Sequence, residues 1–388
     1  MLRIIDKNTI ILILFATIVL NYIFFLSPSL FFFTKIIFLI FIFFSIIYFY
    51  NNRENKFLFF FILILLIIAI GTPSTSWDAR SIWLFKSKII FYDKSILLFN
   101  GENAPFNNGN YPNIAPAFAA SFVNLIGYWN EIYPKAGFTL MFVPPLILLN
   151  RFISNNYFLL SLILILFVIG KYFMNGELDG LVSIYFILCA FMFYNFNNNF
   201  KIPYTDYLIM ILLNVILTLL KTEGSILLIS LIIGSSIIFF NNKILLKKII
   251  LISLISFTPV LIWNIFCINN PLISSINNNS FTIENLTLRI FELKNYIIIS
   301  KYLLLNEKFL ISLLIFTFSL FFFKNKKIFF YVISSSFIYL ILLYGIYLST
   351  SLDLEWHLNS ANRVIKPIAL FFAIFGIYNL INKNKKIY

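Results

Sequence analysis

Apolar runs of roughly 20 residues recur along the whole chain. A helix of about 20 residues covers the ~30 Å hydrocarbon core of a bilayer. Lipid offers no hydrogen-bond partners, so a spanning segment must satisfy its backbone groups within a helix or a closed barrel. The runs here are continuous rather than alternating, which excludes an outer-membrane barrel. We therefore predict an all-α polytopic membrane protein, with residues 1–388 forming one integral membrane domain.

The sequence predicts about twelve transmembrane helices and two larger polar segments, residues 73–131 and 269–307. Charged residues make up 11% of the chain, whereas soluble domains average about 25%. The predicted spans are residues 8–27, 30–50, 57–72, 132–150, 156–172, 180–196, 204–220, 224–240, 248–268, 308–323, 328–348 and 364–381.

Lysine and arginine clusters predict how the spans are oriented, because short loops rich in these residues face the cytoplasm. The clusters lie at residues 3–7, 53–56, 243–248, 324–327 and 383–386. Both ends of the chain are then cytoplasmic, and residues 73–131 lie on the outer face. The assignments made from the two ends agree only if residues 114–127 do not cross the membrane. We therefore predict a horizontal or re-entrant helix at residues 114–127.

The net charge of +14 follows from this orientation. Twelve of the 15 acidic residues lie on the predicted outer face, so nearly all of the excess positive charge is cytoplasmic. We therefore predict membrane lipid as a partner and no nucleic acid. His357 is the single histidine, and the chain has neither an Asp-x-Asp motif nor a histidine cluster, so we predict neither a metal nor a cofactor.

Four polar motifs that are far apart in the sequence fall on the predicted outer face. They are Trp77-Asp78-Ala79-Arg80, Asn175-Gly176-Glu177-Leu178-Asp179, Lys221-Thr222-Glu223-Gly224 and Asp353-Leu354-Glu355-Trp356-His357 with Arg363. Carboxylates at a membrane surface can act as general bases, and cations can hold phosphate oxygens. Each motif alone also fits a purely structural role as an interfacial charge pair, a helix cap or a solvated turn. Their convergence on one face is the argument for a site.

The first motif and the segment Asn110-Tyr111-Pro112-Asn113 resemble the first outer loop of bacterial C-type (GT-C) glycosyltransferases. That group is similar to the dolichyl-phosphate-mannose protein mannosyltransferases and the aminoarabinose lipid A transferases, and is glycosyltransferase family 39-like. The other three motifs are similar to later elements of the same family. The resemblance implies a GT-C-like fold whose first outer loop forms membrane-parallel helices. The family often has two adjacent acidic residues in the first motif, whereas Asp78 is followed here by Ala79.

The resemblance implies a glycosyltransferase that moves a sugar from a polyprenyl-phosphate donor to a lipid, glycan or protein acceptor. The reaction would be inverting and metal-independent, on the periplasmic face of the bacterial inner membrane. The implied catalytic carboxylates are Asp78, as general base, and Asp179. The cations expected to bind the donor phosphate are Arg80, Lys86, Lys221 and Arg363. The residues expected to line the substrate are Trp77, Trp83, Tyr111, Glu223, Trp356 and His357.

A transporter or flippase of a lipid-linked sugar is the alternative function. Twelve spans fit a transporter by count. Transporters, however, place ionisable residues or broken helices near the midplane of the bilayer. The predicted spans are almost free of charge, and the polar residues gather at one face, which favours the enzyme.

Overall fold

The computed structural model describes residues 6–97, 109–153, 155–196, 203–270, 281–322 and 325–381. These residues form helices and no strand, and an isolated bridge pairs Phe281 with Thr350. The predicted all-α class is confirmed for the described part of the chain. The helices are α1 (Lys7–Phe24), α2 (Phe31–Asn51), α3 (Lys56–Gly71), α4 (Leu84–Asp93), α5 (Ile114–Ile126), α6 (Lys135–Leu140), α7 (Val143–Phe152), α8 (Asn155–Ile169), α9 (Asp179–Phe196), α10 (Tyr204–Leu220), α11 (Thr222–Ile238), α12 (Lys243–Asn269), α13 (Ile283–Ile290), α14 (Leu293–Leu304), α15 (Glu307–Phe322), α16 (Lys326–Ser349), α17 (Leu354–Leu358), α18 (Ala361–Val364) and α19 (Lys366–Ile381).

Six helices in the described ranges are long and apolar enough to cross a membrane, which indicates an integral membrane protein. A seventh span results if α14 and α15, which meet at a bend of 73°, are counted together. Five further apolar helices have only 10–17 residues, fewer than the ~20 that cover the hydrocarbon core. The count of twelve spans therefore stays a prediction.

The predicted span at residues 132–150 is not one helix. The chain turns at Met141–Phe142, which separates α6 from α7. Pro144 and Pro145 follow directly, and proline cannot donate the backbone hydrogen bond that a continuous helix would require of it. Proline is well tolerated in the first turn of a helix, so a new helix begins at Val143.

The predicted non-crossing segment forms α5, a buried helix of 13 residues that is about 20 Å long. It packs along α2, with the Phe118 ring centroid 5.1 Å from that of Phe41. Six residues later, Asn124 donates to Thr34 Oγ1 at 3.0 Å. The two helices therefore run antiparallel. That this segment is horizontal or re-entrant, and does not cross the membrane, stays a prediction.

Helix α9 forms the centre of the bundle, with 94% of its apolar stretch buried. It packs against α7, α8, α10, α11 and α19. Its aromatic side chains contact those of α19: Phe191 stacks on Phe375 with ring centroids 4.4 Å apart. By contrast, α3 exposes large apolar side chains such as Phe57 and Ile67, as expected of a helix that faces lipid.

Each salt bridge of the described residues joins side chains predicted to lie on the same side of the membrane. Arg151, for example, donates to both carboxylate oxygens of Asp206 at 2.7 Å. The pairs on the predicted cytoplasmic side are Lys7–Glu54 and Arg151–Asp206; those on the predicted outer side are Lys88–Glu131, Lys221–Asp179, Lys221–Glu223, Arg363–Asp78 and Arg363–Glu177. This grouping agrees with the orientation inferred from lysine and arginine.

Candidate active site

Charged side chains from all four outer-face motifs meet in one place, which we call the carboxylate–cation cluster. Its members are Asp78, Glu177, Asp179, Lys221, Glu223 and Arg363. Two cations join four carboxylates, so the cluster is formally anionic when every group is ionised. Of the predicted site residues, Asp78, Asp179, Lys221, Glu223 and Arg363 lie in it.

Arg363 connects the first and second motifs. Its Nη1 contacts the Asp78 carboxylate and lies 3.8 Å from Glu177 Oε2. The Asp78 and Arg363 side chains are 20% and 28% exposed, whereas Glu177 is almost fully buried. A molecule outside the protein can therefore contact the Arg363–Asp78 pair, whereas Glu177 lies on the buried side of the cluster.

Lys221 connects the second and third motifs. It donates to Asp179 Oδ1 at 3.0 Å and lies 3.0 Å from Glu223 Oε1. Its side chain is only 8% exposed. Burial acts to lower the pKa of Lys221, but the nearby Asp179 and Glu223 carboxylates outweigh it and raise that pKa well above its usual range. Lys221 therefore stays charged.

Glu177 is positioned by a tight turn before α9. The Asn175 side-chain amide donates to Glu177 Oε1 at 2.9 Å, and the Asn175 carbonyl accepts from Ser74 Oγ at 2.8 Å. Gly176 has φ of +88°, a conformation that favours glycine. An added Cβ there would lie 3.3 Å from the Ala79 Cβ, so the turn also packs closely against the first motif.

The pKa of the Glu177 carboxyl is raised. Burial is the largest cause; Asp179 and Asp78 add to it, while a hydrogen bond with Ser76 and the charge of Arg363 oppose it. Among the described residues, Glu177 Oε2 has no hydrogen-bond partner. This carboxyl therefore takes up a proton more readily than an ordinary glutamate does.

Asp78 is held at the entrance of the cluster by an unusual helix. A π-helical turn at Ala79–Trp83 directly follows Asp78 and leads into α4. Such turns occur frequently at functional sites, since the extra residue re-aims neighbouring side chains. Ala79, the first residue of this turn, is fully buried and packs against Gly176.

The third motif is shaped by its glycine. A Cβ added at Gly224 would overlap the Leu217 carbonyl oxygen at the end of α10. Only glycine allows α11 to begin this close to α10. The resulting turn places Lys221 and Glu223 side by side, facing Asp179.

Two of the predicted aromatic residues form a stacked wall beside the cluster; Trp83 is buried and Tyr111 is half-buried. Trp83 stacks on Tyr111 with ring centroids 5.5 Å apart. Burial raises the pKa of Tyr111, and the Glu223 carboxylate raises it further, while Lys221 opposes the effect. The Tyr111 ring is therefore close enough to sense the charges of the cluster.

Lys86 lies behind this wall rather than in the cluster. It is fully buried and donates to the Tyr111 carbonyl at 2.9 Å. Burial lowers the pKa of Lys86 to about 7. In the structure, this hydrogen bond of Lys86 holds the Tyr111 segment in place. The sequence had predicted instead that Lys86 contacts a donor phosphate.

Three predicted residues lie at the surface. The Trp77 and Trp356 side chains are each 63% exposed, and Arg80 is also exposed. Within the described ranges, Arg80 forms no salt bridge. Exposed tryptophans at the edge of an apolar bundle are typical of residues that sit at the lipid headgroup level.

His357 is half-buried beside the cluster. Its ring packs edge-on to Tyr347 with centroids 4.9 Å apart, and the Tyr347 hydroxyl lies 2.9 Å from Ser360 Oγ. Its Nδ1 is buried and has no hydrogen-bond partner in the described part of the chain. A hydroxyl of a bound molecule could supply that partner.

The site predicted from the sequence does not include Glu177, Tyr172 or Tyr347, although the second motif contains Glu177. Tyr347 stands among apolar residues, and Tyr172 follows Lys171 at the end of an apolar run, so the sequence gives neither tyrosine a role in the site. No group of three or more His, Cys, Asp or Glu in the described residues is arranged to hold a metal ion.

Comparison with models of protein families, with curated proteins and with solved structures found no match. The resemblance to GT-C glycosyltransferases therefore rests on the motifs and stays a prediction.

Proposed function

We propose that the protein is a glycosyltransferase that moves a sugar from a polyprenyl-phosphate donor to an acceptor on the outer face of the membrane. One observation carries the proposal: four separated motifs place their carboxylates and cations in a single cluster. The same four motifs are the ones that resemble GT-C glycosyltransferases. Orientation toward the periplasm, twelve spans and the bacterial inner membrane are parts of this proposal.

Asp78 is the general base of the proposed reaction. It accepts the proton of the acceptor hydroxyl while the acceptor oxygen attacks the anomeric carbon of the donor. The bond between that carbon and the phosphate oxygen breaks, and the lipid phosphate leaves with the electron pair. The sugar thereby inverts its configuration. The greater exposure of Asp78 supports it over Asp179, which is 7% exposed and bound to Lys221.

Arg363 couples donor binding to the release of this base. In the structure Arg363 contacts Asp78, and a guanidinium binds phosphate oxygens at least as well as a carboxylate. When the leaving phosphate takes over Arg363, Asp78 becomes free to accept the proton. The charge that develops on the phosphate is then stabilised by the same cation. Lys221, held by Asp179 and Glu223, positions these carboxylates.

The test uses the purified full-length protein in nanodiscs with a polyprenyl-phosphate sugar and extracted envelope acceptors. Wild type should form a new glycosylated product, and Asp78→Asn should lower turnover by about 10²- to 10⁴-fold at equal protein level. Glu131→Gln, at an exposed outer-face carboxylate, is the matched control. Near-wild-type turnover in Asp78→Asn would remove the base assignment. In proteoliposomes of the same protein, movement of sugar-lipid across the bilayer without a new product would replace the enzyme by a flippase.

A further inference from the structure

Three lysines with no assigned role lie beside the carboxylate–cation cluster. Lys366 begins α19, Lys308 lies in the first turn of α15, and Lys171 follows α8 in a 3₁₀ turn, Gly170–Phe173. Lys366 and Lys308 both donate to the Val168 carbonyl, at 3.4 and 3.2 Å. Two ammonium groups therefore meet at one oxygen.

The Tyr172 ring lies near the ammonium groups of Lys366 and Lys171. Lys366 Nζ lies 4.7 Å from the centre of the Tyr172 ring, and Lys171 Nζ lies 5.6 Å from it. The three cations and the tyrosine, which we call the lysine site, are brought together by three separate segments of the chain. Lys366 is 6% exposed, Lys308 is half-buried and Lys171 is exposed, so the site opens outward from a buried base.

No carboxylate of the described residues lies within salt-bridge distance of the lysine site, although Glu307 attracts Lys308, and Asp179 and Glu177 attract Lys366, from farther away. None of the three lysines forms a salt bridge with an acidic side chain of the described residues, including Glu307 next to Lys308. Like charges that are partly withdrawn from water repel one another strongly. Each ammonium also carries three donors, and one carbonyl cannot satisfy both groups. An anion with several acceptor oxygens would meet both needs.

We propose that Lys171, Lys308, Lys366 and Tyr172 form a binding site for the phosphate group of an isoprenoid-phosphate lipid. This inference rests on the proposed function. It places the phosphate of the sugar donor at residues outside the site that the sequence predicts. Arg363 and Lys221 are already paired with carboxylates, whereas the three lysines have no such partner. A bound phosphate would therefore gain the most electrostatic stabilisation at the lysine site.

The position of the site supports this ligand over a small soluble anion. Lys366 follows Arg363 by three residues, which places both on one side of a helical turn. A phosphate at Lys366 is thus next to the cation that releases Asp78. Lys308 Nζ also lies 5.8 Å from the Phe167 ring, and α8 and α15 continue from there with exposed apolar side chains such as Ile163 and Leu314. An isoprenoid chain can lie along these lipid-facing surfaces.

The test measures lipid binding by the purified full-length protein, without any sugar transfer. The probes are undecaprenyl phosphate, undecaprenol, phosphatidylglycerol and inorganic phosphate. Undecaprenyl phosphate should bind about 10- to 100-fold more tightly than undecaprenol, the size expected from charge-assisted hydrogen bonds. The double variant Lys308→Gln/Lys366→Gln should lose this difference. Lys294→Gln, at an exposed lysine on α14, is the matched control and should keep it.

Three other outcomes of this binding test would overturn the inference. Equal affinity of the double variant and wild type for undecaprenyl phosphate would overturn it. Equally tight binding of phosphatidylglycerol would mark a general phospholipid site, and equally tight binding of inorganic phosphate would mark a free-phosphate site; either overturns it. Lys171→Gln, at an exposed position, should weaken binding several-fold, and it serves as the deciding variant if the double variant does not fold.

The inference and the proposed function can fail separately. If the lysines bind the lipid phosphate and no sugar is transferred, the proposed function fails and the site stands. If sugar is transferred while the double variant binds the donor normally, the site fails and the function stands.

Discussion

Arg363 and Asp78 lie 285 positions apart in the sequence, and their side chains form an ion pair. The same guanidinium lies 3.8 Å from Glu177, so one cation joins the loop after α3, the turn before α9 and the segment before α19. In the proposed reaction this pair keeps the base occupied until a phosphate arrives.

Arg363→Met should destabilise the protein by about 3 kcal/mol, because it leaves the buried Glu177 and the partly buried Asp78 without their cation. Unfolding of the purified protein in detergent measures this. The double variant Arg363→Met/Asp78→Asn should recover part of the loss, with a coupling energy of about 1–3 kcal/mol. Strictly additive losses would argue against a direct pair.

Lys221→Met should cost about 3–5 kcal/mol, because two carboxylates would remain in a buried position without their shared cation. Lys7→Met is the matched control. Its pair with Glu54 has side chains 59% and 54% exposed, and such surface pairs contribute roughly 0–1 kcal/mol. The comparison is of midpoints of unfolding in one detergent. Similar small losses in both variants would show that Lys221 is more hydrated than the structure implies.

Glu177→Gln should change how stability depends on pH. The native pKa of Glu177 is raised by burial, so the native state binds its proton more tightly than the unfolded chain does. Its contribution to stability is complete below the ordinary pKa of 4.5 and is lost as the pH rises through the raised value. The thermal midpoint of wild type should therefore fall relative to that of Glu177→Gln as the pH rises from 4.5. Parallel profiles for the two proteins would contradict this.

Lys86→Met should remove a pH dependence of the opposite sign. Burial lowers the pKa of Lys86 from 10.5 to about 7, so below pH 7 the fold holds a buried charge that the unfolded chain holds in water. This cost fades as the pH rises from 7 toward 10.5, and wild-type stability should rise across that range. Lys88→Met, at a position on the same helix whose side chain is 40% exposed, should keep the wild-type profile. If stability still rose over this pH range in Lys86→Met, a group other than Lys86 would be responsible for the rise.

Gly224→Ala should destabilise the protein by about 1–3 kcal/mol, because the new Cβ overlaps the Leu217 carbonyl and pushes α11 away from α10. The shift should also loosen the Lys221–Asp179 contact. Gly345→Ala is the matched control, since no atom lies within 4 Å of a Cβ added there. It should be neutral or stabilise by roughly 0.5–1 kcal/mol, as alanine favours helix. The thermal midpoints of the two variants, compared with wild type, measure both effects.

The sequence by itself determined the class of fold and predicted the side of the membrane on which each charge lies. Runs of apolar residues can only be helices in lipid, because nothing else satisfies the backbone there. The cost of moving lysine and arginine across a bilayer then predicts which loops face the cytoplasm. The same reasoning brought Asp78, Asp179, Lys221, Glu223 and Arg363 to one face, and the structure brings these residues into one cluster.

Only the tertiary structure decided which of the other side chains face the cluster. Lys86 and Arg80 lie six residues apart in one segment, yet one is buried behind Tyr111 and the other is exposed. The packing of α5 along α2 likewise depends on neighbours that are distant in the sequence. Hydropathy records how apolar a segment is but not which helix it packs against. Contacts such as Lys366 and Lys308 on one carbonyl arise only when three helices meet.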